Sequence, residues 1–266
     1  FNADYDFTIN NPNYIGEGNI FLMCSLSDRM IINNPKVKTS TRGFVMQTGA
    51  KNLEVNGGTV HLLPNTTNFE TVLARSKAGV ADAFGLAPSN VRFKNVKFKG
   101  RSILYIDVLG DIDILDCMME NNDGTVNAIR IANGNIPTNL RINDNDIRGA
   151  HSISITNDAA PTGVYEINRN RTKDHTYVTP IYVYAANNLK AIGNNFVGAT
   201  SLAWRGDIVA AVNGGAIVKD NTPIISNRDY LTSISSTPLR VGQEALVAGV
   251  WYKAIGTSTP TDWKAI

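Results

Sequence analysis

Asn139-Leu140-Arg141-Ile142-Asn143-Asp144-Asn145-Asp146-Ile147 is a phrase whose outline returns along most of the chain. Two apolar residues stand two positions apart, Asn and Asp residues follow, and a third apolar residue stands seven positions after the first. Apolar residues at period 2 predict a strand with one buried face. Asn and Asp tolerate left-handed backbone angles, so the residues between the apolar positions predict a sharp turn.

The pattern repeats at a nearly constant interval. Clear copies place apolar residues at relative positions 0, 2 and 7 in Phe7-Ile9-Tyr14, Met30-Ile32-Val37, Leu53-Val55-Val60, Val91-Phe93-Phe98, Ile112-Ile114-Met119, Leu140-Ile142-Ile147 and Leu189-Ala191-Phe196. Two degenerate copies start at Val164 and Ala216, with an Arg and a Pro at position 7. Successive copies start 21 to 28 residues apart, except for one interval of 38. A period in the twenties that is carried by strand-like segments is typical of a solenoid.

Most repeats also contain a second strand-like run. These runs are Leu104–Ile106, Ile129–Ile131, Ile153–Ile155, Ile181–Val183 and Ile208–Ala210. No helix-period stripe of apolar residues passes through the repeats. The sequence therefore predicts an all-β protein, a right-handed parallel β-helix of about nine coils over residues 1–223, with apolar side chains stacked along its inside.

The chain contains 31 Asn residues. Each coil of a β-helix must turn sharply between strands, so we expect most Asn and Asp residues to serve turns. We also expect stacked Asn side chains to hydrogen-bond from one coil to the next.

Two segments depart from the repeat. The long interval indicates an insertion at residues 63–89, in which Glu70–Ala78 predicts a short helix, and such insertions often shape a binding site. After Pro223 the repeat stops, and Leu239–Thr257 predicts short antiparallel strands with Gly turns. Because an open sheet edge needs cover, residues 224–266 are expected to form a C-terminal β cap or a trimerisation segment.

Composition argues against several classes of function. The formal net charge is +2 and no run of Lys and Arg exists, so a nucleic-acid partner is not expected. No stretch has the length of a membrane span, so no membrane insertion is expected. Cys24 and Cys117 stand among apolar residues without metal-ligand spacing, so we expect buried free thiols, no metal and no cofactor. The chain starts with Phe1 beside the first repeat, from which we expect it to be a fragment.

A resemblance lies at the end of the chain. Val241-Gly242-Gln243, then Gly249-Val250-Trp251-Tyr252-Lys253-Ala254, then Pro260-Thr261-Asp262-Trp263-Lys264 resemble the closing segment of many bacteriophage tail spike and tail fibre proteins. The Asn-rich β-helix expected before this segment also resembles tail spikes. The resemblance implies a homotrimer in the phage virion that binds a bacterial surface polysaccharide outside the cell and usually cuts it. It transfers no catalytic residue position by position.

The turns that follow relative position 7 differ in length, and long turns beside a short one predict a cleft across the helix axis. A polysaccharide suits a mixture of aromatic, acidic and basic side chains there. The candidate substrate-binding residues in these turns are His151, His175, Tyr177, Trp204, Arg205 and Asp207.

Glycoside hydrolysis needs two carboxyl groups, roughly 5–5.5 Å apart in retaining enzymes and roughly 6.5–9.5 Å apart in inverting enzymes. Coils stack about 4.8 Å apart, so carboxylates two coils apart are near the inverting separation. We interpret Glu120 as the general acid and Asp174 as the general base, with Asp123 as a substitute for either. The acid would need a raised pKa.

Two other functions stay open. A polysaccharide lyase would use Lys173, His175 or Tyr177 to abstract a proton beside a uronate, with Arg205 holding the carboxylate. A tail component that only binds would need no catalysis. A second candidate surface, for binding or for a subunit interface, consists of the outward residues Tyr105, Asp107, Arg130, Tyr182 and Tyr184.

Overall fold

A computed structural model of the chain describes residues 6–16, 20–25, 27–47, 49–64, 70–75, 86–101, 104–121, 127–131, 135–148, 151–155, 161–173, 181–183, 189–197, 204–205, 217–219, 244–247 and 250–266. In these segments the chain winds through three parallel sheets in turn, so that every third strand pairs with its counterpart in the next coil. The all-β, parallel β-helix prediction is confirmed.

The strands are numbered in chain order and grouped by sheet. Sheet A contains β1 (Asp6–Asn10), β4 (Arg29–Asn33), β7 (Lys51–Asn56), β10 (Ser89–Lys94), β13 (Leu109–Leu115), β16 (Pro137–Asn143), β19 (Tyr165–Asn168), β22 (Lys190–Ile192) and β25 (Ile217–Lys219). Sheet B contains β2 (Asn13–Gly16), β5 (Lys36–Thr39), β8 (Thr59–Leu62), β11 (Lys97–Gly100), β14 (Met118–Asn121), β17 (Asp146–Arg148), β20 (Arg171–Lys173) and β23 (Asn195–Phe196). Sheet C contains β3 (Leu22–Ser25), β6 (Phe44–Gln47), β9 (Val72–Arg75), β12 (Leu104–Asp107), β15 (Asn127–Ile131), β18 (His151–Ile155), β21 (Ile181–Val183) and β24 (Trp204–Arg205).

The C-terminal segment forms a small antiparallel sheet. It consists of β26 (Glu244–Val247), β27 (Val250–Ala254) and β28 (Trp263–Ala265), with a short 3-10 helix at Pro260–Asp262. The antiparallel strands predicted in Leu239–Thr257 are confirmed for β26 and β27.

The core is a set of stacked columns. Met30 pairs with Leu53, Leu53 with Val91, and Val91 with Ile112, and all four side chains are buried. Burying such a side chain contributes about 1.5–3 kcal/mol, and each column repeats that gain coil after coil. Cys24 and Cys117 belong to this core as free thiols, as predicted, and burial raises the pKa of each to about 12.

A left-handed residue follows each sheet A strand from β1 to β22 and sends the chain into sheet B. Asn11, Asn34, Asn95, Asp116 and Asp144 hold this position with φ between 50° and 62°. Gly57 and Gly193 hold it in two other coils, and Arg169 (φ 52°) in one more. The prediction that Asn and Asp turn the chain with left-handed angles is confirmed.

One predicted repeat, the copy starting at Val164, begins one residue too early. The degenerate copy starting at Val164 is wrong, because Leu140 pairs with Tyr165 and Ile147 with Thr172. Tyr165 and Thr172 are buried, whereas Val164 is half-buried, so the true copy has its position 7 filled by a threonine.

The predicted helix in the insertion is also wrong. Val72–Arg75 form β9, which pairs with β6 and β12 on either side. Local composition favoured a helix, but Val72 and Ala74 are buried in the stack, and this tertiary packing overrides the local preference.

The last predicted run on sheet C, Ile208–Ala210, lies outside the described residues. In this coil Trp204–Arg205 form the described strand of sheet C, and Trp204 pairs with Ile181.

A buried asparagine ladder crosses three successive coils. Asn145 Nδ2 donates to Asn170 Oδ1 at 2.9 Å, and Asn170 Nδ2 donates to Asn194 Oδ1 at 3.0 Å. Asn170 Nδ2 also donates to the Ile142 carbonyl at 2.7 Å, and the Asn170 side chain is fully buried. The predicted stacking of Asn side chains is confirmed, and here it occupies the interior.

We expect Asn170→Ala to lower the free energy of unfolding by about 2–4 kcal/mol, because it strips partners from two other buried amides. The measurement is urea unfolding followed by circular dichroism. The matched control is Asn195→Ala in an exposed position of the next coil, with an expected change within about 0.5 kcal/mol. An equal decrease in the free energy of unfolding of the two variants would show that the buried ladder stabilises the fold no more than an exposed asparagine does.

Candidate functional site

The predicted site residues fall into two groups. Asp123, Asp174, His175, Tyr177 and Asp207 lie outside the described residues. For the others, His151 opens β18, Trp204 and Arg205 form β24, and Glu120 lies in β14. Trp204 and Arg205 were expected in a turn, but their backbone pairs as a strand with Ile181 and Tyr182.

Glu120 lies on the outer face of sheet B rather than in a turn. Its Oε1 is 3.1 Å from Lys97 Nζ and its Oε2 is 3.6 Å from Lys99 Nζ. The hydrogen bond from Lys97, with the charges of both lysines, lowers the pKa of the Glu120 carboxyl. A general acid needs a raised pKa, so this surrounding favours the ionised form.

His61 stands two coils before Glu120 in the same row. Its neighbours in register are Lys38 in the preceding coil and Lys99 in the following coil. Burial, then the positive charges of Lys99 and Lys38, lower the pKa of the His61 imidazole, while Glu120 raises it. The charges of Lys38, Lys99 and Glu120 therefore all act on this imidazole.

Both residues belong to a larger surface, which we call the basic face. It consists of the outward side chains of β5, β8, β11, β14, β17 and β20, which alternate with buried residues such as Val37, Phe98 and Ile147. Its basic members are Lys36, Lys38, Lys97, Lys99, Arg148, Arg171 and Lys173. Its acidic members are Glu120 and Asp146.

A depression lies at the N-terminal end of the basic face. It has a volume of about 380 Å³ and is lined by Ile15, Lys36, Lys38, Thr59 and His61, among others. Ile15 is 71% exposed, so an apolar surface stands beside the two lysines and the imidazole.

Sheet A carries its charges in pairs. Asp113, whose side chain is 4% exposed, accepts hydrogen bonds at 3.0 Å from both Arg92 and Arg141. Glu54 lies 3.9 Å from Arg92, and Glu166 lies 3.8 Å from Lys190. A depression of about 310 Å³ lies among some of these residues. Its charged groups mostly neutralise one another, and we assign them a structural role.

Sheet C presents the second surface proposed from the sequence. The Arg130 guanidinium carbon lies 5.1 Å from the centre of the Tyr105 ring, and the two residues are in register. Backbone pairing continues this row through Ser154, Tyr182 and Arg205.

Of the remaining members of the second surface, Asp107 is engaged in structure. It accepts a hydrogen bond at 2.6 Å from the Asn135 backbone N–H and another at 3.0 Å from Nδ2 of Asn135. Tyr184 lies outside the described residues.

Sequence reasoning missed the basic face because its lysines never form a run. The signal is Lys-x-Lys at positions 6 and 8 of the repeat, as in Lys36-Val37-Lys38 and Lys97-Phe98-Lys99. Each pair is separated by a buried residue, and stacking then brings the pairs onto one face.

In the part of the chain that the structure describes, no cluster of three or more His, Cys, Asp or Glu side chains could hold a metal ion. Over the same segments, no helix is both long and apolar enough to cross a bilayer. Comparisons with protein-family models, curated proteins and solved structures gave no match.

We expect Glu120→Gln to lower the pKa of His61 further, because it removes the carboxylate that raises it. Lys38→Gln should raise the same pKa, because it removes a repelling charge. The measurement is an NMR titration of the imidazole resonances, which are few because the chain has 3 His, with His61→Gln to assign them. Lys94→Gln on sheet A serves as the control. If the pKa of His61 is the same in all variants, the charges of Glu120 and Lys38 do not act on the imidazole as described.

Proposed function

We propose that this chain binds a bacterial surface polysaccharide along the outside of its β-helix, as a receptor-binding component of a phage tail. A parallel β-helix is compatible with polysaccharide-binding and polysaccharide-degrading proteins. The resemblance of the C-terminal segment to tail spikes supports the phage assignment. The observation that carries the proposal is the row Tyr105, Arg130, Ser154, Tyr182 and Arg205 on sheet C.

The backbone of the row matches an extended sugar chain in length, and its side chains Tyr105 and Arg130 match such a chain in chemistry, whereas Ser154 is buried. Its five strands stack about 4.8 Å apart, so it extends over roughly 19 Å along the axis. A tyrosine ring covers the apolar side of a pyranose, and an arginine donates several hydrogen bonds to hydroxyl or acidic groups. The Arg130 guanidinium lies over one face of the Tyr105 ring at 5.1 Å, so the contact holds the two groups together.

Hydrolysis is the catalytic part of the proposal, and because Glu120 lies on sheet B the polymer would have to extend from the Tyr105 row on sheet C to that sheet. It requires one protonated and one ionised carboxyl group. The lowered pKa of Glu120 supports the ionised role, which reverses the assignment of Glu120 as the acid. Asp174 and Asp123 are then the candidate proton donors.

A lyase reaction is the second candidate, and one observation favours it. Lys173 lies on the basic face in register with Arg148, so a uronate would meet positive charge there. In that case Lys173, His175 or Tyr177 would abstract the proton and Arg205 would hold the carboxylate.

The test is incubation with a panel of purified capsules, O-antigens and exopolysaccharides, following binding, polymer size, reducing ends and ultraviolet absorbance. We expect binding that Tyr105→Ala weakens about tenfold, because the ring face is lost, and that Tyr105→Phe retains. Reducing ends without new absorbance would identify a hydrolase, to be tested with Glu120→Gln and Asp174→Asn.

The remaining outcomes separate the alternatives. Reducing ends together with new absorbance would identify a lyase. Binding without a change in polymer size would identify an adhesin. Absence of binding to every polymer would refute the proposal.

We also propose a homotrimer, on the resemblance of the C-terminal segment to tail spikes. Sedimentation at micromolar concentration should then give a mass about three times that of the 28.8 kDa chain. A monomer under these conditions would contradict this part of the proposal.

A further inference from the structure

The basic face concentrates positive charge that the rest of the chain balances. Its strands carry seven basic side chains against two carboxylates, although the formal net charge of the whole chain is only +2. Sheet A, by contrast, pairs Arg92 and Arg141 with Asp113, and Arg92 also with Glu54.

Much of this charge has no acidic partner. Glu120 is shared between Lys97 and Lys99, and Asp146 pairs with Arg148 at 3.0 Å. Within the described residues, the other four basic side chains of the face form no ion pair: Lys36, Lys38, Arg171 and Lys173. They lie at the two ends of the face, on β5 and β20.

The geometry of the face is linear. Backbone pairing places Lys38, His61, Lys99, Glu120 and Arg148 in one row parallel to the solenoid axis, and Lys173 continues it. The six strands span five intervals of about 4.8 Å, which is roughly 24 Å. A partner with negative charges at short, regular intervals fits this arrangement.

We propose that the basic face binds an anionic polysaccharide, with the polymer lying along the solenoid axis and its acidic groups against the lysines and arginines. This inference rests on the proposed function, in which the partner is a polysaccharide. It adds the chemical class of the polymer, uronate-like or otherwise acidic, and a face distinct from the Tyr105 row on sheet C.

The composition of the face favours a polysaccharide over a nucleic acid. Single-stranded nucleic acids are bound through aromatic platforms on which bases stack. The described outward side chains of β5 to β20 in sheet B include no Phe, Tyr or Trp. Five of the seven basic residues are lysines, which act as single charges and lack the fork with which arginine recognises phosphate.

The depression beside Lys36 and Lys38 gives the polymer an end site. Exposed Ile15 supplies an apolar surface for one face of a sugar ring, and Thr59 and His61 supply hydrogen-bonding groups. An acidic sugar placed there lies next to both unpaired lysines. Its charge would also favour protonation of His61.

The experiment measures binding of the whole chain to polygalacturonate, alginate and polysialate, each beside its uncharged carboxyl ester. The test variants are Lys36→Gln/Lys38→Gln and Arg171→Gln/Lys173→Gln. The matched control is Lys253→Gln/Lys264→Gln, a pair of exposed lysines in register in the C-terminal sheet. Circular dichroism checks the fold of each variant.

We expect at least one acidic polymer to bind, its ester to bind at least tenfold more weakly, and each test variant to lose about tenfold in affinity while the control is unchanged. Affinity should fall as sodium chloride rises from about 50 to about 300 mM, with a smaller salt dependence in the test variants. The acidic polymer, but not its ester, should raise the pKa of His61.

Several results would overturn the inference. Equal binding of polymer and ester, or unchanged affinity in both test variants, would remove the basic face from recognition. If the panel polymers still bind and only Tyr105→Ala weakens them, the proposed function survives without this inference. Absence of binding to every polymer refutes both. Tighter binding of single-stranded DNA or of anionic lipid vesicles, lost in the same variants, would assign the face to that partner instead.

Discussion

The solenoid depends on the coil-to-coil hydrogen bonding of parallel strands. A residue pairs with its counterpart one coil away, so its environment is set by its column rather than by its neighbours in sequence. The 38-residue interval shows the strength of this constraint, because Leu53 and Val91 still pair despite the extra chain between them. Inserted residues must leave the columns intact and are accommodated in the connections between strands.

The same constraint governs how polar groups enter the core. The column that holds Val96 and Cys117 becomes an asparagine column in the next coils. The change is tolerated because the Cys117 N–H donates to Asn145 Oδ1 at 2.8 Å, and the next Asn side chains satisfy one another. A lone buried amide would lack these partners, so polar residues enter such a column as a group.

The columns were predictable from sequence because they recur, and the errors occur where recurrence is ambiguous. Val164 and Tyr165 are adjacent and both apolar, so only strand pairing decides which one faces inward. At Val72–Arg75 the local helical preference is clear, while the pairing partners lie 28 and 32 residues away along the chain.

The candidate site was less predictable for a related reason. Sheet B strands extend past position 7, so Glu120 lies on a sheet face and not in the expected turn. Its neighbours in register are Lys99 and Arg148. The lysines that form ion pairs with Glu120 and favour its ionised form belong to the preceding coil, so no local sequence pattern predicts these pairs. Three members of the sheet C row, Tyr105, Arg130 and Tyr182, were predicted from the second strand-like run of their repeats, whereas Arg205 was assigned to a turn.

On the outside of the solenoid, neighbouring coils can present opposite charges or like charges to each other. The two arrangements differ in their effect on stability. Opposite charges in neighbouring coils, as around Asp113, stabilise the stack directly. Like charges about 4.8 Å apart repel, and the basic face limits this repulsion by spacing. Thr59 separates Lys36 from Lys97, and His61 separates Lys38 from Lys99.

The lowered pKa of His61 favours the neutral imidazole between two lysines, which limits the positive charge of the row. A neutral His61 reduces the repulsion among the positive charges of this face in the free protein. An anion above the row would remove the reason for that neutrality. Recognition of a polyanion and proton uptake by His61 would then be linked through the same pair of lysines.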